Sequence, residues 1–296
     1  MPTPVSSAGP QADGILDLIA DEPDSAFESF FDPSEYAPRA SLEDQHYWHL
    51  HRREVVLDVL RGAGVDGTQQ LMELGCGAGT VATFLNENGL AVDYSDVHRE
   101  ALTFARARAQ ARLPRGGREP RFVRADITRR LPPGDYDGVL LLDVLEHLPD
   151  DRAVARAARS LLERRASAPG ARPFLLFTVP AFQFLWSPWD DREQHKRRYT
   201  LETARALAVD AGFTVERSTY FFFPLFFAAS AVKAGRLVRS LVARRRAPER
   251  FEDMAETANH AALNTAMLRI LSSERAWLAR RQLPLGTSIL VLARLA

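Results

Sequence analysis

Only one cysteine, Cys76, stands in the 296 residues, so an intrachain disulfide is impossible and a Cys-based metal cluster is excluded. That scarcity fits a reducing compartment, and a cytoplasmic location is the expectation. An excess of either charge is lacking too: 38 Lys plus Arg balance 38 Asp plus Glu. The chain therefore has no electrostatic footprint of a nucleic-acid-binding protein. Its opening, MPTPVSSAGPQADG, has no basic stretch ahead of an apolar core and does not read as a secretory signal. The most apolar run, YFFFPLFFAASAV at residues 220–232, is too short to span a bilayer and contains Pro224.

What is present is an ordinary globular balance, 46% hydrophobic and 26% charged, enough for one large α/β core with a helical addition. Residues 1–40 carry Pro, Ser, Gly and acidic residues with short apolar clusters, and read as a flexible acidic leader. From Ser41 the pattern turns helical, with Ser41 and Asp44 spaced as a capping box and Gly62 closing the helix. Short apolar runs then alternate with amphipathic stretches. Strands are expected near 70–74, 90–95, 121–125, 136–142, 173–179 and 213–221, with helices near 79–88, 98–112, 150–166 and 200–211. Such alternation predicts right-handed crossovers and a doubly wound, mostly parallel sheet. Residues 41–223 would form this core, 224–283 a helical insertion, and 284–296 a final, seventh strand. Ligands bind such sheets at the carboxyl ends of the strands.

One such end carries LMELGCGAGT, with glycines at 75, 77 and 79 and Thr80 where a dinucleotide fingerprint wants glycine. A glycine turn after a first strand lets backbone approach an adenosine-containing ligand closely. Asp96 ends the second strand, where it is placed to accept from ribose hydroxyls. Asp126 follows the third, within reach of an adenine amino group, and LLLDVLEHLPDD sets Asp143, Glu146 and His147 beyond the fourth. With Glu73 these make a carboxylate-lined cleft, which repels a pyrophosphate and suits a ligand bearing a sulfonium and an ammonium.

At this point the sequence resembles the class I S-adenosylmethionine-dependent methyltransferases. ELGCGAG is similar to that family's first motif, VDYSDVHREAL to its second-strand acidic motif, ADI to its adenine-contacting motif and YDGVLLLDVLEHLPD to its fourth-strand motif. HYWHLHRRE, TVPAFQFLWSPWDDREQHKRRYT and LPLGTSILVLAR resemble a bacterial small-molecule subgroup. The resemblance implies a Rossmann-like fold, with the helical insertion as a substrate cap, and S-adenosylmethionine as cofactor. It places Gly75, Cys76, Gly77 and Ala78 against the methionine moiety, Asp96 and Val97 at ribose and adenine, and Asp126 and Ile127 at adenine. Leu142 and Asp143 fall near the methionine end, and Glu73 orders the turn or meets the ammonium through water.

The expected reaction is methyl transfer to a small-molecule acceptor: O-methylation of a secondary-metabolite, sugar or lipid-linked hydroxyl or carboxyl. N- or C-methylation, a nicotinamide-dependent oxidoreductase and a non-catalytic membrane-associated donor-binding module are the alternatives. The Asn-Pro-Pro-aromatic sequence of amino-group methylases is absent after LLLD, which disfavours nucleobase amino groups. His147 is the first candidate for a general base. His195 and Tyr199, in REQHKRRYT, are the others, with Arg198 facing substrate or pairing with Asp190 and Asp191. Tyr47, Trp48 and Arg52 are read as a lid over the donor. Of the three histidines in HYWHLH only His46 and His49 share a helix face, and no catechol-type metal ligand set is recognisable, so no metal is assigned and metal-independent transfer is the default. Residues 220–246 form either a strand leading into a core-facing helix or an interfacial helix with a basic flank in weak contact with a membrane surface.

Overall fold

The structure is a computed structural model that describes residues 13–20, 36–243 and 261–296. Its centre is an eight-stranded sheet built from β1 (Ile15–Asp17), β2 (Gln70–Leu74), β3 (Ala91–Asp96), β4 (Phe122–Arg124), β5 (Gly138–Leu142), β6 (Phe174–Pro180), β7 (Phe213–Phe221) and β8 (Ser288–Leu295). The strand order is β1-β4-β3-β2-β5-β6-β8-β7. Every pairing is parallel except those of β8, which runs antiparallel to both β6 and β7. The order reverses between β2 and β5, so a crevice opens at their carboxyl ends. Strands β3, β5 and β6 are buried along their whole lengths, as expected of a sheet covered on both faces.

The helices are α1 (Tyr36–Gln45), α2 (Tyr47–Gly62), α3 (Thr80–Glu87), α4 (Arg99–Arg112), α5 (Asp151–Ala166), α6 (Pro188–Arg192), α7 (Leu201–Asp210), α8 (Phe223–Ala243) and α9 (Ala261–Leu278). Three have legible starts. Asp150 accepts from the Ala153 N–H at 2.8 Å ahead of α5, and Thr200 pairs with Thr203 ahead of α7. Ahead of α6, Ser187 and Asp190 form a reciprocal capping box with Pro188 in the first turn.

Three expectations change. The sheet has eight strands rather than seven, because Ile15–Asp17, expected in the flexible leader, pairs along β4. Asp17 anchors it by accepting from Arg99 and Arg124 at 3.0 and 3.1 Å. The single helix expected from Ser41 is two helices. Ser41 lies inside α1 and accepts from the Gln45 side chain, while the chain breaks at His46, whose Nδ1 caps α2 by accepting from the Trp48 N–H at 3.3 Å. Between the strand expected near 173–179 and the helix expected near 200–211, α6 stands where no element is expected. Residues 1–12, 21–35 and 244–260 lie outside the described residues, and with them most of the expected leader, the middle of the expected insertion and Arg244–Arg246 of the expected basic flank. Among the described residues no helix is long and apolar enough to cross a membrane.

Candidate active site

A cavity of about 390 Å³ opens where the strand order reverses, within the range of small-molecule sites. Its floor is the turn after β2. Gly75, Gly77 and Gly79 all have positive φ, 73°, 53° and 72°, which only glycine adopts without strain. Their surroundings differ. A Cβ at Gly75 would stand 2.7 Å from Val144 Cγ2, and one at Gly79 would stand 2.6 Å from Ala105 Cβ. A Cβ at Gly77 would meet nothing within 4 Å, so the space above Gly77 is open to a ligand approaching the backbone. Beneath the turn lies Glu73, buried, with one carboxyl oxygen lacking a hydrogen-bond partner among the described residues. Burial pushes its pKa up to about 8, against the pull of Arg52 and the Ala82 backbone.

At the end of β3, Asp96 ties the floor together. Its Oδ2 accepts from the Gly77 N–H at 2.8 Å and its Oδ1 from the His98 N–H at 2.9 Å. Each carboxylate oxygen has a second lone pair, so the capacity to accept from a ribose persists. Cys76, Ala78 and Val97 also line the cavity. Burial pushes the Cys76 thiol well above its ordinary pKa, which makes it an apolar wall and not a nucleophile.

The opposite wall follows β5. Asp143 holds a positive φ of 56°, accepts from the Thr178 hydroxyl at 3.1 Å and is ion-paired with Arg52 of α2. Burial alone would weaken the Arg52 charge, but Asp143, Glu43 and Glu73 outweigh it and the guanidinium stays protonated. Arg52 lies 4.9 Å above the Trp48 ring, and Trp48 stacks on Phe222 at 5.4 Å. Trp48 and Arg52 both line the cavity. Farther along α2, Val55, Val56, Leu57, Val59 and Leu60 belong to the core. Tyr47 does not line the cavity; its N–H donates to Asn264 at 2.7 Å and joins α2 to α9.

The third side gathers Glu146, His147, His195 and Arg198. The imidazoles of His147 and His195 meet edge to face at 4.8 Å. Burial, reinforced by His195, brings the His147 pKa down to about 4, so that ring is neutral at neutral pH. Arg198 grips Asp190 with two bonds, 2.7 and 2.9 Å, and His195 Nδ1 lies 2.8 Å from the same carboxylate. Burial would raise the Asp190 pKa, but these partners hold it below the usual carboxylate range. Glu146 is fully buried, and burial together with Asp143 raises its pKa well above normal.

The fold therefore brings Glu73, Gly75 to Ala78, Asp96, Val97, Leu142, Asp143, Trp48, Arg52, His147, His195 and Arg198 to one cavity. Besides Tyr47, three expected site residues are placed elsewhere. Asp126 accepts from the Thr128 N–H and hydroxyl at 2.9 and 2.7 Å and closes a local turn, and it is not in the cavity wall; neither is Ile127. Tyr199 is buried, its hydroxyl donating to Asp151 at 2.7 Å, and it too stands outside the wall. Sequence reasoning missed Glu43, His49, Thr80, Glu193 and Ser288, which line the cavity from α1, α2, α3, the end of α6 and β8. The Thr80 hydroxyl donates to Glu43, closing the cavity beside the glycine turn. Thr80 stands within the glycine-turn motif; no local signal marks the other four, because only the tertiary fold brings them together.

Residues 72–167 match the family described as methyltransferase domain. A ubiquinone biosynthesis O-methyltransferase of Albidiferax ferrireducens is 32% identical over 96 residues, 32% of this chain and 37% of that protein. A magnesium-protoporphyrin O-methyltransferase of Synechocystis sp. is 29% identical over 148 residues, 49% of this chain and 63% of that protein. The chain thus spans between 37% and 63% of the length of these relatives. A solved structure of a candidate sarcosine dimethylglycine methyltransferase from Galdieria sulphuraria shares the fold at a TM-score of 0.50 and 17% identity, over 84% of this chain and 86% of that one. The matched segment runs from the strand beneath the glycine turn through Asp96, Asp143 and His147, so the cavity floor and the β5 side of its wall are built from residues of a methyltransferase domain.

Proposed function

We propose that the chain binds S-adenosylmethionine in this cavity and methylates an oxygen of a small-molecule acceptor. The observation that carries the reading is the composition and shape of the cavity: six acidic side chains, two of them (Glu73 and Glu146) shifted toward the neutral form by burial, against two guanidiniums, over a glycine turn whose backbone at Gly77 is open to a ligand. That excess favours a cationic donor over a pyrophosphate, which supports a methyl donor over a nicotinamide cofactor. The O-methyltransferase names of the two curated relatives agree with an oxygen acceptor.

When bound, the donor supplies an electrophilic methyl group on a sulfonium. The chain's own residues do the rest. Gly75 and Gly77 fit the methionine side, with Glu73 and Asp143 toward its ammonium, and Asp96 the adenosine side. Trp48 and Arg52 cover the site and limit water. Glu146, His147 and His195 line the acceptor side of the cavity, while Arg198 keeps His195 in place through Asp190. Alignment of two reactants in one cavity is the main catalytic contribution asked of the fold.

The reading is tested by incubating the chain with S-adenosylmethionine and pooled hydroxyl and carboxyl acceptors. The expected result is acceptor-dependent formation of S-adenosylhomocysteine. Turnover of amino acceptors alone would refute O-methylation, and absence of any turnover across chemically broad pools would refute the enzyme.

A further inference from the structure

Glu146, His147 and His195 each offer a ligand atom, and these atoms all lie within 4.8 Å of one another. Glu146 is the informative member. It is completely buried, it lines the cavity, and neither carboxyl oxygen has a hydrogen-bond partner among the described residues. A buried carboxyl group without a donor is costly, and a cation facing it removes the cost.

The two imidazoles are held as ligands usually are. Asp190 accepts two bonds from Arg198 and two from the Ser187 N–H and hydroxyl, so it is ionised and fixed. It therefore accepts a hydrogen bond from the His195 Nδ1–H, 2.8 Å away, and the Nε2 lone pair is directed elsewhere. A carboxylate bound to the far nitrogen is the common support of a metal-ligating histidine. The His147 ring is oriented by the Glu193 backbone. Asp143, the next carboxylate, is committed to Arg52 and Thr178.

We propose that Glu146, His147 and His195 hold a divalent first-row transition cation whose remaining positions face the cavity and take an oxygen of the methyl acceptor. Two imidazoles with one carboxylate suit Mn²⁺, Fe²⁺, Co²⁺ or Zn²⁺ better than Mg²⁺ or Ca²⁺. Three protein ligands leave room for a substrate oxygen. A hydroxyl coordinated there becomes more acidic, its proton passes to solvent water, and the two histidines serve as ligands in place of protein bases. The role toward the acceptor rests on the methyl-transfer reading; the cation site does not.

The test uses the full chain, stripped with a chelator and titrated with Co²⁺ by calorimetry and visible absorption, with donor affinity measured on the same sample. The expected result is one equivalent of Co²⁺ with the ligand-field bands of an imidazole-bound ion, displaced by Zn²⁺. Glu146→Gln and His195→Ala are expected to weaken uptake at least tenfold, a usual effect at a metal site, and His98→Ala to leave it unchanged. Absence of stoichiometric uptake by the wild-type chain overturns the proposal whatever the variants do. So does uptake that survives both substitutions in variants with wild-type circular dichroism. Donor binding without cation uptake removes the cation and leaves the methyl-transfer reading; cation uptake without donor binding keeps the site and removes that reading.

Discussion

Glu73 shows how a single buried side chain links this site to pH. With its pKa raised to about 8, it is protonated at neutral pH in the free protein. A cationic donor favours the ionised form. Donor affinity is therefore expected to rise as pH climbs toward and through about 8, with a proton released on binding. Calorimetry in buffers of different ionisation enthalpy reads that proton, and Glu73→Gln should abolish it; an unchanged proton count would contradict the assignment. Stability carries the same sign. The folded pKa lies above the ordinary 4.5, so stability is full below 4.5 and is lost as pH rises toward 8. Glu73→Gln should gain on wild type across that window by up to about 1.4 kcal/mol per pH unit. The neighbouring glycines separate stability from binding. Gly75→Ala forces a Cβ against Val144 and should cost about 1–3 kcal/mol in denaturant unfolding. Gly77→Ala meets open space, so it should cost only about 1 kcal/mol of backbone strain yet weaken donor binding at least about tenfold. Equal effects of the two on binding and stability would refute the distinction.

Among the elements, the contact that joins the two ends of the chain is Glu274 of α9. Its carboxylate accepts from the Phe222 and Phe223 N–H groups at 2.7 and 2.6 Å and lies 2.9 Å from His51 Nε2. It thereby fixes the β7–α8 junction, where Phe222 keeps a positive φ of 62° and stacks under Trp48. Glu274→Ala leaves those buried N–H groups without an acceptor and should cost about 2–4 kcal/mol in thermal or denaturant unfolding. Because Trp48 rests on Phe222, donor affinity should fall as well; a stable variant with unchanged affinity would show that the junction does not position the cavity wall. Glu274 was not legible in the sequence, since nothing local ties a glutamate in α9 to a strand end some fifty residues earlier. The opposite holds, α6 apart, for the strands and helices from β2 to α7, whose apolar runs and amphipathic stretches are regular enough to read. Asp96 and Asp143 were legible because each closes such a run. Ile15–Asp17 was not, because three residues among Pro, Ser and Gly carry no period, and the break at His46 was hidden by helix-favouring residues on both sides. Asp126 stood in the right place along the chain, but Thr128 two residues on offers its N–H and hydroxyl first.

For the whole molecule, the account requires that a positively charged adenosyl compound bind where the strand order reverses and stabilise the fold in doing so. At a free donor concentration a hundredfold above Kd the gain is about 2.7 kcal/mol, large enough to read as a rise in Tm. The most direct test is calorimetric titration of the full chain with S-adenosylmethionine and, separately, with NAD. One equivalent of S-adenosylmethionine should bind, with affinity lost in Gly77→Ala and Asp96→Ala, and NAD should produce no heat of binding. Saturable uptake of NAD, or no uptake of S-adenosylmethionine by folded protein, would contradict the central claim.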